Sequence, residues 1–333
     1  MLTLSKFTNL IDLLKCFKDE QTCRDYLEQI RWSGKLTCPY ADCGSDHCCK
    51  YSDGMTYKCS KCNRQYSVRV GTIFQDSRIP LQKWFAAIYL ISAHKKGISS
   101  HQLGRDIGVT QKSAWFMLHR YRHSLKLGFS SEKLSGIVEG DETYIGGAEK
   151  NKHQHKKTDG TQGRSTKTKT PVIGVVQRGG EIRTEKAEDT KKVTLQPFII
   201  KNVAFNSKFY TDEHEGYNGL KGIFKHKNID HSADQYVDGE VHCNTMEGYF
   251  SLLKRGIIGI YHSVSNKHLQ NYLDEFSFRY NTRTISGSNR FDLMLNNINT
   301  HLSYKELIAK HDQHNETPRD NRQMEGEQGT FGF

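Results

Sequence analysis

The segment His242-Cys243-Asn244-Thr245-Met246-Glu247-Gly248-Tyr249-Phe250-Ser251-Leu252-Leu253-Lys254-Arg255 carries two stripes at the period of an α-helix. Met246, Phe250, Leu253 and Ile257 recur at i, i+4, i+7 and i+11 and give one apolar face. Asn244, Glu247, Ser251 and Lys254 recur at i, i+3, i+7 and i+10 and give an adjoining polar one. An ordinary surface helix has the same look, so the meaning of this one depends on what stands upstream.

Two other acids stand where strands are expected. Gly136-Ile137-Val138-Glu139-Gly140-Asp141-Glu142-Thr143-Tyr144-Ile145-Gly146-Gly147 reads as a strand with Asp141 in its middle, ended by a glycine pair. Lys208-Phe209-Tyr210-Thr211-Asp212-Glu213-His214 reads as a short strand with Asp212 at its C-terminal end, the usual ligand edge of an α/β sheet. Either acid alone says little. Three acids on two strands and a later helix are the set that a divalent-metal phosphoryl-transfer site needs, because Mg²⁺ prefers hard oxygen ligands and two such ions clamp the attacking and leaving oxygens.

The segments Asp141 to Gly147, Asp212 to His214 and His242 to Gly256 resemble the transposases of the insertion sequence 1595 family. The similarity continues through Gly259-Ile260-Tyr261-His262 and Phe278-Arg279-Tyr280-Asn281-Thr282-Arg283 and takes in cysteine pairs near the N-terminus. Only the last stretch, roughly fifty residues, falls outside it. The resemblance implies a DDE recombinase with a ribonuclease-H-like core, an α/β mixed sheet with flanking helices. It also implies Asp141, Asp212 and a third residue as catalytic ligands of Mg²⁺ (or Mn²⁺), terminal inverted repeats and target DNA as partners, and a homo-oligomer that holds two ends together. In that chemistry a phosphodiester at the element's end is cut, and the freed 3′-hydroxyl attacks target DNA in line. Glu247 lies 35 positions after Asp212 and seven before Lys254, the spacing of many DDE recombinases. Members of the resembled family also use an Asn as the third residue, and Asn244 fits that description one turn earlier. A carboxylate holds the ion better than an uncharged amide oxygen, so Glu247 is the expected third ligand and Asn244 the alternative. Lys254 is expected to meet a DNA phosphate as a point charge.

Bulk composition agrees with a polyanionic partner. The chain has 333 residues, and 48 Lys and Arg against 37 Asp and Glu leave a net charge of +11, with a pI near 9.1. The length suits two or three domains. No run of eighteen apolar residues occurs, so a membrane span is not expected. The first residues lack the features of a signal peptide, which points to the cytoplasm, or to the nucleus in a eukaryote. Nine cysteines in a reducing compartment point to metal ligation rather than disulfides.

Cys38 and Cys43, then Cys59 and Cys62, form two close pairs with fifteen residues between them, the four-thiolate Zn²⁺ pattern of a ribbon. The metal would supply folding energy that so short a segment cannot draw from a core. His47, Cys48 and Cys49 lie inside the loop as substitute ligands. The wide first pair, against the C-x₂-C more usual in the family, leaves Cys43 the ligand most open to replacement. Lys58, Lys61, Arg64 and Arg69 flank the second pair and suit phosphate contact, or simply a solvated charged face. Residues 7 to 32 read as helical, with Cys16 and Cys23 as small core residues.

A helix is expected from Pro80 to about Lys96, then a helix–turn–helix with the turn at Gly108-Val109 and Thr110 as N-cap. Its second helix offers Gln111, Lys112, Ser113, Arg120 and Arg122 for groove and phosphate contacts, while Trp115, Phe116 and Leu118 read as core. Residues 148 to 170 read as a flexible basic loop, a DNA grip or an idle insertion. A hairpin through Gly179-Gly180, a helix at Val193 to Ile200 and an amphipathic helix at 265 to 281 complete the centre. Arg279 and Arg283 are either DNA contacts or salt-bridge partners of Asp274 and Glu275. From about His311 the polar tail reads as disordered. The expected divisions are an N-terminal helical segment 1–33, a zinc ribbon 34–70, a helix–turn–helix region 71–128, a catalytic domain 134–285 and a C-terminal segment 286–333. Two other classes stay open beside a transposase: a zinc-dependent DNA-binding protein with an inert core, and a nuclease that cuts without joining.

Overall fold

The computed structural model describes residues 7–126, 132–147, 153–158, 165–228 and 241–309. Two parts of the basic loop (148–152 and 159–164) and the tail from 310 lie outside the described residues.

The N-terminal half is built from helices around a small sheet. Helices α1 (Leu10–Cys16) and α2 (Glu20–Trp32) replace the single helical stretch expected. The break has a local cause: the Asp19 carboxylate accepts from the Thr22 amide at 2.7 Å and so starts a new helix. Leu13, Cys23 and Leu27 turn inward, whereas Cys16 is exposed, against the expectation that it was a core residue. Strands β1 (Cys48–Lys50), β2 (Thr56–Cys59) and β3 (Gln65–Ser67) form an antiparallel sheet in that order. Next come α3 (Leu81–Ala93), α4 (Ser100–Ile107) and α5 (Gln111–Leu125). Thr110 caps α5 by accepting from the Ser113 amide, and Gly108 ends α4 in the left-handed region at φ 64°. One hydrophobic cluster takes in α1 to α5, the small sheet and α9 (Gly287–Asn296), which returns from the far end of the chain to lie on α3.

The other half is a five-stranded mixed sheet. Its strands are β4 (Ile137–Ile145), β5 (Thr170–Gln177), β6 (Ile182–Lys186), β7 (Lys208–Thr211) and β8 (Lys225–Asn228), in the order β6-β5-β4-β7-β8. The first three pair antiparallel, and β7 and β8 add in parallel. Val138, Ile173, Val175 and Phe209 face α6 (Lys192–Asn202) on one side. Ile145, Val172, Val176 and Ile182 face α7 (Asn244–Gly256) and α8 (Leu269–Asn281) on the other. The alternation of 172 and 176 against 173 and 175 is the period of two that a strand imposes. All four residues of the α7 apolar stripe are buried, and Asn244, Glu247, Ser251 and Lys254 are exposed, as the helical period requires. A π-helical turn, Ile257–Tyr261, continues α7, and a short α10 (Tyr304–Ile308) follows α9.

Buried ions join the two halves. Glu275 of α8 accepts from Arg122 of α5 at 2.5 Å and also pairs with Arg279. Arg279 in turn donates to the carbonyl oxygens of Ile91 and His94 at the end of α3. Arg120 donates to the carbonyls of Ile73, Gln75 and Leu302. Neither Arg120 nor Arg122 is on an outward face, so the expectation that they reach from the surface into a DNA groove is corrected: their fork of donors ties loops and helices together. Arg279 takes the salt-bridge role, and Arg283 stacks on Tyr280 and donates to the Gly180 carbonyl. No described helix is long and apolar enough to cross a membrane.

Candidate active site

Asp141 stands on β4 directly across from Gly174 of β5, on the face that α7 covers. Parallel pairing of β4 with β7 stops at Glu139 and Tyr210, so beyond that point the edge of β4 is open. Asp212 follows β7 at this opening, its Oδ1 accepting from the His214 amide at 3.1 Å. Glu142 points to the opposite face of the sheet from Asp141, where Tyr217 donates to its Oε2 at 2.8 Å. The open edge nonetheless lets all three acids converge: Asp141, Glu142 and Asp212 each offer a carboxylate oxygen within 4.8 Å of the others. Burial, then the neighbouring Glu142 and Asp212, push the Asp141 carboxyl up to about 8. The charges that raise Asp141 are ones that a divalent cation would offset.

Glu247 and Asn244 both lie exposed on the first turn of α7. Glu247 does not fall within the close group, though its charge is among those that raise Asp141. Lys254 is exposed near the other end of the same helix. What fixes that helix over the acids is Glu139, which the sequence reading passed over. Glu139 is fully buried, and its carboxylate accepts from the Thr245 amide (2.9 Å), the Thr245 hydroxyl (2.9 Å) and the Met246 amide (3.0 Å). Arg178 donates to it at 2.6 Å and reaches the His242 carbonyl as well. A carboxylate at a helix N-terminus satisfies amides that have no partner inside the helix and suits the helix dipole. The available signal was positional: Glu139 is two residues before Asp141, hence on the same face of the strand.

In the N-terminal half the four expected thiols converge. Cys38, Cys43, Cys59 and Cys62 place their sulfurs within 4.8 Å of one another, with Cys38–Cys62 at 3.8 Å and Cys43–Cys59 at 3.7 Å. A tetrahedral Zn²⁺ with Zn–S bonds of ~2.3 Å needs sulfurs about 3.8 Å apart. The set therefore fits the ion. Cys48 donates to the Ser45 carbonyl, Cys49 to that of Lys58, and His47 is exposed; none of the three belongs to the close group of four. Hydrogen bonds from Arg64 draw the Cys62 thiol down to about 6, while burial pushes Cys38 up to about 12. Arg64 is also paired with Asp42, and Arg69 with Glu20, whereas Lys58 and Lys61 have no such partner among the described residues.

A zinc ribbon joined to an α/β unit with an acidic cluster defines a class, and comparison with known proteins identifies it as that of the transposases. Residues 133–281 match the ISXO2-like transposase domain, and residues 18–65 match the transposase zinc-ribbon domain. The chain belongs to the insertion sequence 1595 family of transposases. An uncharacterized protein in transposable element ISH50 of Halobacterium salinarum is 29% identical over 278 residues, spanning 80% of this chain and 92% of that protein. Two solved structures, a pre-cleavage Mos1 transpososome and a Mos1 strand transfer complex, align over 63% of this chain and 74% and 73% of theirs. Their identities are 12% and 14%, with TM-scores of 0.26 and 0.24.

Proposed function

We propose that this transposase cuts phosphodiester bonds at the ends of its element and joins the 3′-hydroxyl to target DNA, using Asp141, Asp212 and Glu247 as its catalytic carboxylates. The observation that carries the reading is the convergence of Asp141 and Asp212 at an open sheet edge beneath the first turn of α7. A sheet whose strands run third, second, first, fourth, fifth in chain order, with the second antiparallel to its neighbours, supports the ribonuclease-H-like assignment. Divalent ions, Mg²⁺ or Mn²⁺, held by these carboxylates would supply Lewis-acid polarisation of the phosphate and a nucleophile at neutral pH. The chain's own work is positioning and charge placement. Glu142 is held by Tyr217 beside the other two acids, and Glu139 keeps α7 and Glu247 in register with them. Lys254, exposed two turns along α7, is the cation for a phosphate of the bound end. Asn244 is the alternative third residue, and the pair Glu247→Gln and Asn244→Ala decides between them: the true third ligand, when changed, abolishes cleavage.

The ribbon, with Zn²⁺ on its four thiols, and the α4–α5 pair as a helix–turn–helix are the parts that would hold the terminal inverted repeats. Two ends joined in one event call for a dimer or larger assembly.

The test is to incubate the full chain with labelled end DNA, a target plasmid and Mg²⁺. Cleavage with joining is expected, and Asp141→Ala or Asp212→Ala should remove both. Cleavage without joining would make it a nuclease, and binding with neither would make it a DNA-binding protein with an inert core. Strand transfer that survives either alanine change sinks the site assignment.

A further inference from the structure

A cavity of about 580 Å³ opens between the start of α4, the inner face of α5 and the π-helical turn after α7. Ser99, Ser100 and His101 line one wall, Arg122 and Tyr272 the floor, and Tyr261 and His262 the opposite wall. The wall at α4 presents a helix N-terminus. The Gln102 amide is taken by the Ser99 hydroxyl and the Leu103 amide by the Ser99 carbonyl, while the amides of Ser100 and His101 have no partner among the described residues.

A second observation comes from the floor. Arg122 is 1% exposed, and its guanidinium carbon lies over Tyr272, 3.9 Å from the ring centre, with Tyr261 at 5.1 Å. Only Nε is used, on Glu275; Nη1 and Nη2 are buried with no hydrogen-bond partner. Glu275 is shared with Arg279, so two guanidiniums face one carboxylate and the floor carries surplus positive charge. Buried donors of a cation are ordinarily satisfied, and two left over on a residue that lines a cavity point to an anionic occupant.

We infer that this cavity is a phosphate seat, in which a backbone phosphate of bound DNA lies between the first amides of α4 and the free end of Arg122. The inference rests on the DNA-acting reading above. The volume suits a phosphate with its flanking sugars rather than a lone small ion. The placement suits one duplex touching both sites: from Glu247 to Tyr261 along α7 and its π turn is ~20 Å, or roughly six base pairs of duplex. The chain's net charge of +11 favours a polyanion over a free metabolite.

The test uses the full chain and a fluorescein-labelled duplex of mixed sequence, titrated by anisotropy at several salt concentrations. His101→Glu puts a carboxylate where the phosphate would sit, yet a Glu in a first helical turn does not harm folding. Duplex affinity should fall roughly tenfold and the log–log salt slope should become shallower by about 1. Arg122→Lys keeps the charge beside Glu275 and removes the fork, and should weaken binding in the same direction. A free deoxynucleoside monophosphate should compete with the duplex on the wild-type chain and lose that effect in His101→Glu. Unchanged affinity and slope in His101→Glu overturns the phosphate seat while leaving the DNA reading intact. A wild-type chain that binds no duplex overturns the DNA reading itself. Monophosphate binding that His101→Glu abolishes, with duplex affinity unaltered, also overturns the proposal and makes the cavity a small-molecule site.

Discussion

Glu139 is not one of the three clustered acids, yet α7 hangs from it by two backbone amides and a hydroxyl. Glu139→Gln keeps the shape, removes the charge that Arg178 faces, and should lower stability by about 3 kcal/mol, the scale of breaking one side of a buried ion pair. Cleavage should fall with it because Glu247 rides on the same turn; urea unfolding beside a cleavage assay reads both, and a variant equal to wild type in each removes Glu139 from the site. A second residue-scale effect is electrostatic. Asp274 is buried with Oδ2 unpartnered, and burial raises its carboxyl from the ordinary 3.8 to about 6. The folded state therefore binds the proton more tightly than the unfolded chain does, so its contribution is present below pH 4 and lost as the pH climbs through 6. Asp274→Asn should raise stability by about 2–3 kcal/mol at pH 7.5 and by almost nothing at pH 4, measured as a difference in melting temperature at the two values. At this scale Asp141 was legible as an acid inside a strand and Asp212 as one just past a strand's end. Glu142 was not, because strand alternation assigns it to the wrong face, and only the early end of β4–β7 pairing lets it reach round.

Among the elements, α7 shows most directly what sequence periodicity reads and what it misses. Its apolar and polar stripes followed from spacing alone, since a helix fixes which side chains share a face. How closely it lies on its neighbour did not. A methyl group at Gly256 would strike the edge of the Phe276 ring and come within 3.2 Å of the Lys96 carbonyl oxygen. Gly256→Ala should therefore destabilise by about 1–3 kcal/mol through overpacking, despite alanine's better helix propensity; a melting temperature at or above wild type would show that α7 and α8 can part. The small sheet of the ribbon was legible from its cysteines, because thiolate spacing is set by the ion and not by packing. Its attachment was not legible: Tyr57, Cys59 and Tyr66 share one cluster with α2 and α3, and Trp32 packs edge-on against Tyr57. Stripping Zn²⁺ with a strong chelator should thus lower the melting temperature of the whole N-terminal half rather than unravel a pendant knuckle. Loss of ribbon amide protection alone in hydrogen exchange, with α3 unaffected, would contradict this.

At the scale of the whole molecule, one fully buried carboxylate holds the N-terminal helices to the catalytic sheet. Glu275 on α8 receives Arg122 from α5 and Arg279 from its own helix, and Arg279 continues to the carbonyls that end α3. The two guanidiniums hold its carboxyl down near 2, so the charge persists across the whole physiological range. The sequence offered Arg279 and Glu275 only as a possible pair four residues apart; that Arg122, 153 positions away, completes the set depends on how α5 packs on α8. Glu275→Gln leaves two buried guanidiniums facing no anion and should cost about 3–5 kcal/mol. The three tryptophans, Trp32, Trp84 and Trp115, all lie in the N-terminal half, so their fluorescence follows that half while far-ultraviolet circular dichroism follows both. In urea the wild-type chain should give coincident transitions by the two probes. With the joint broken, the two curves should separate, the halves unfolding at different midpoints. If the Glu275→Gln curves shift together and stay superimposed, the coupling between ribbon, helices and catalytic sheet runs through the apolar contacts of α5 on α8 and not through this ion cluster.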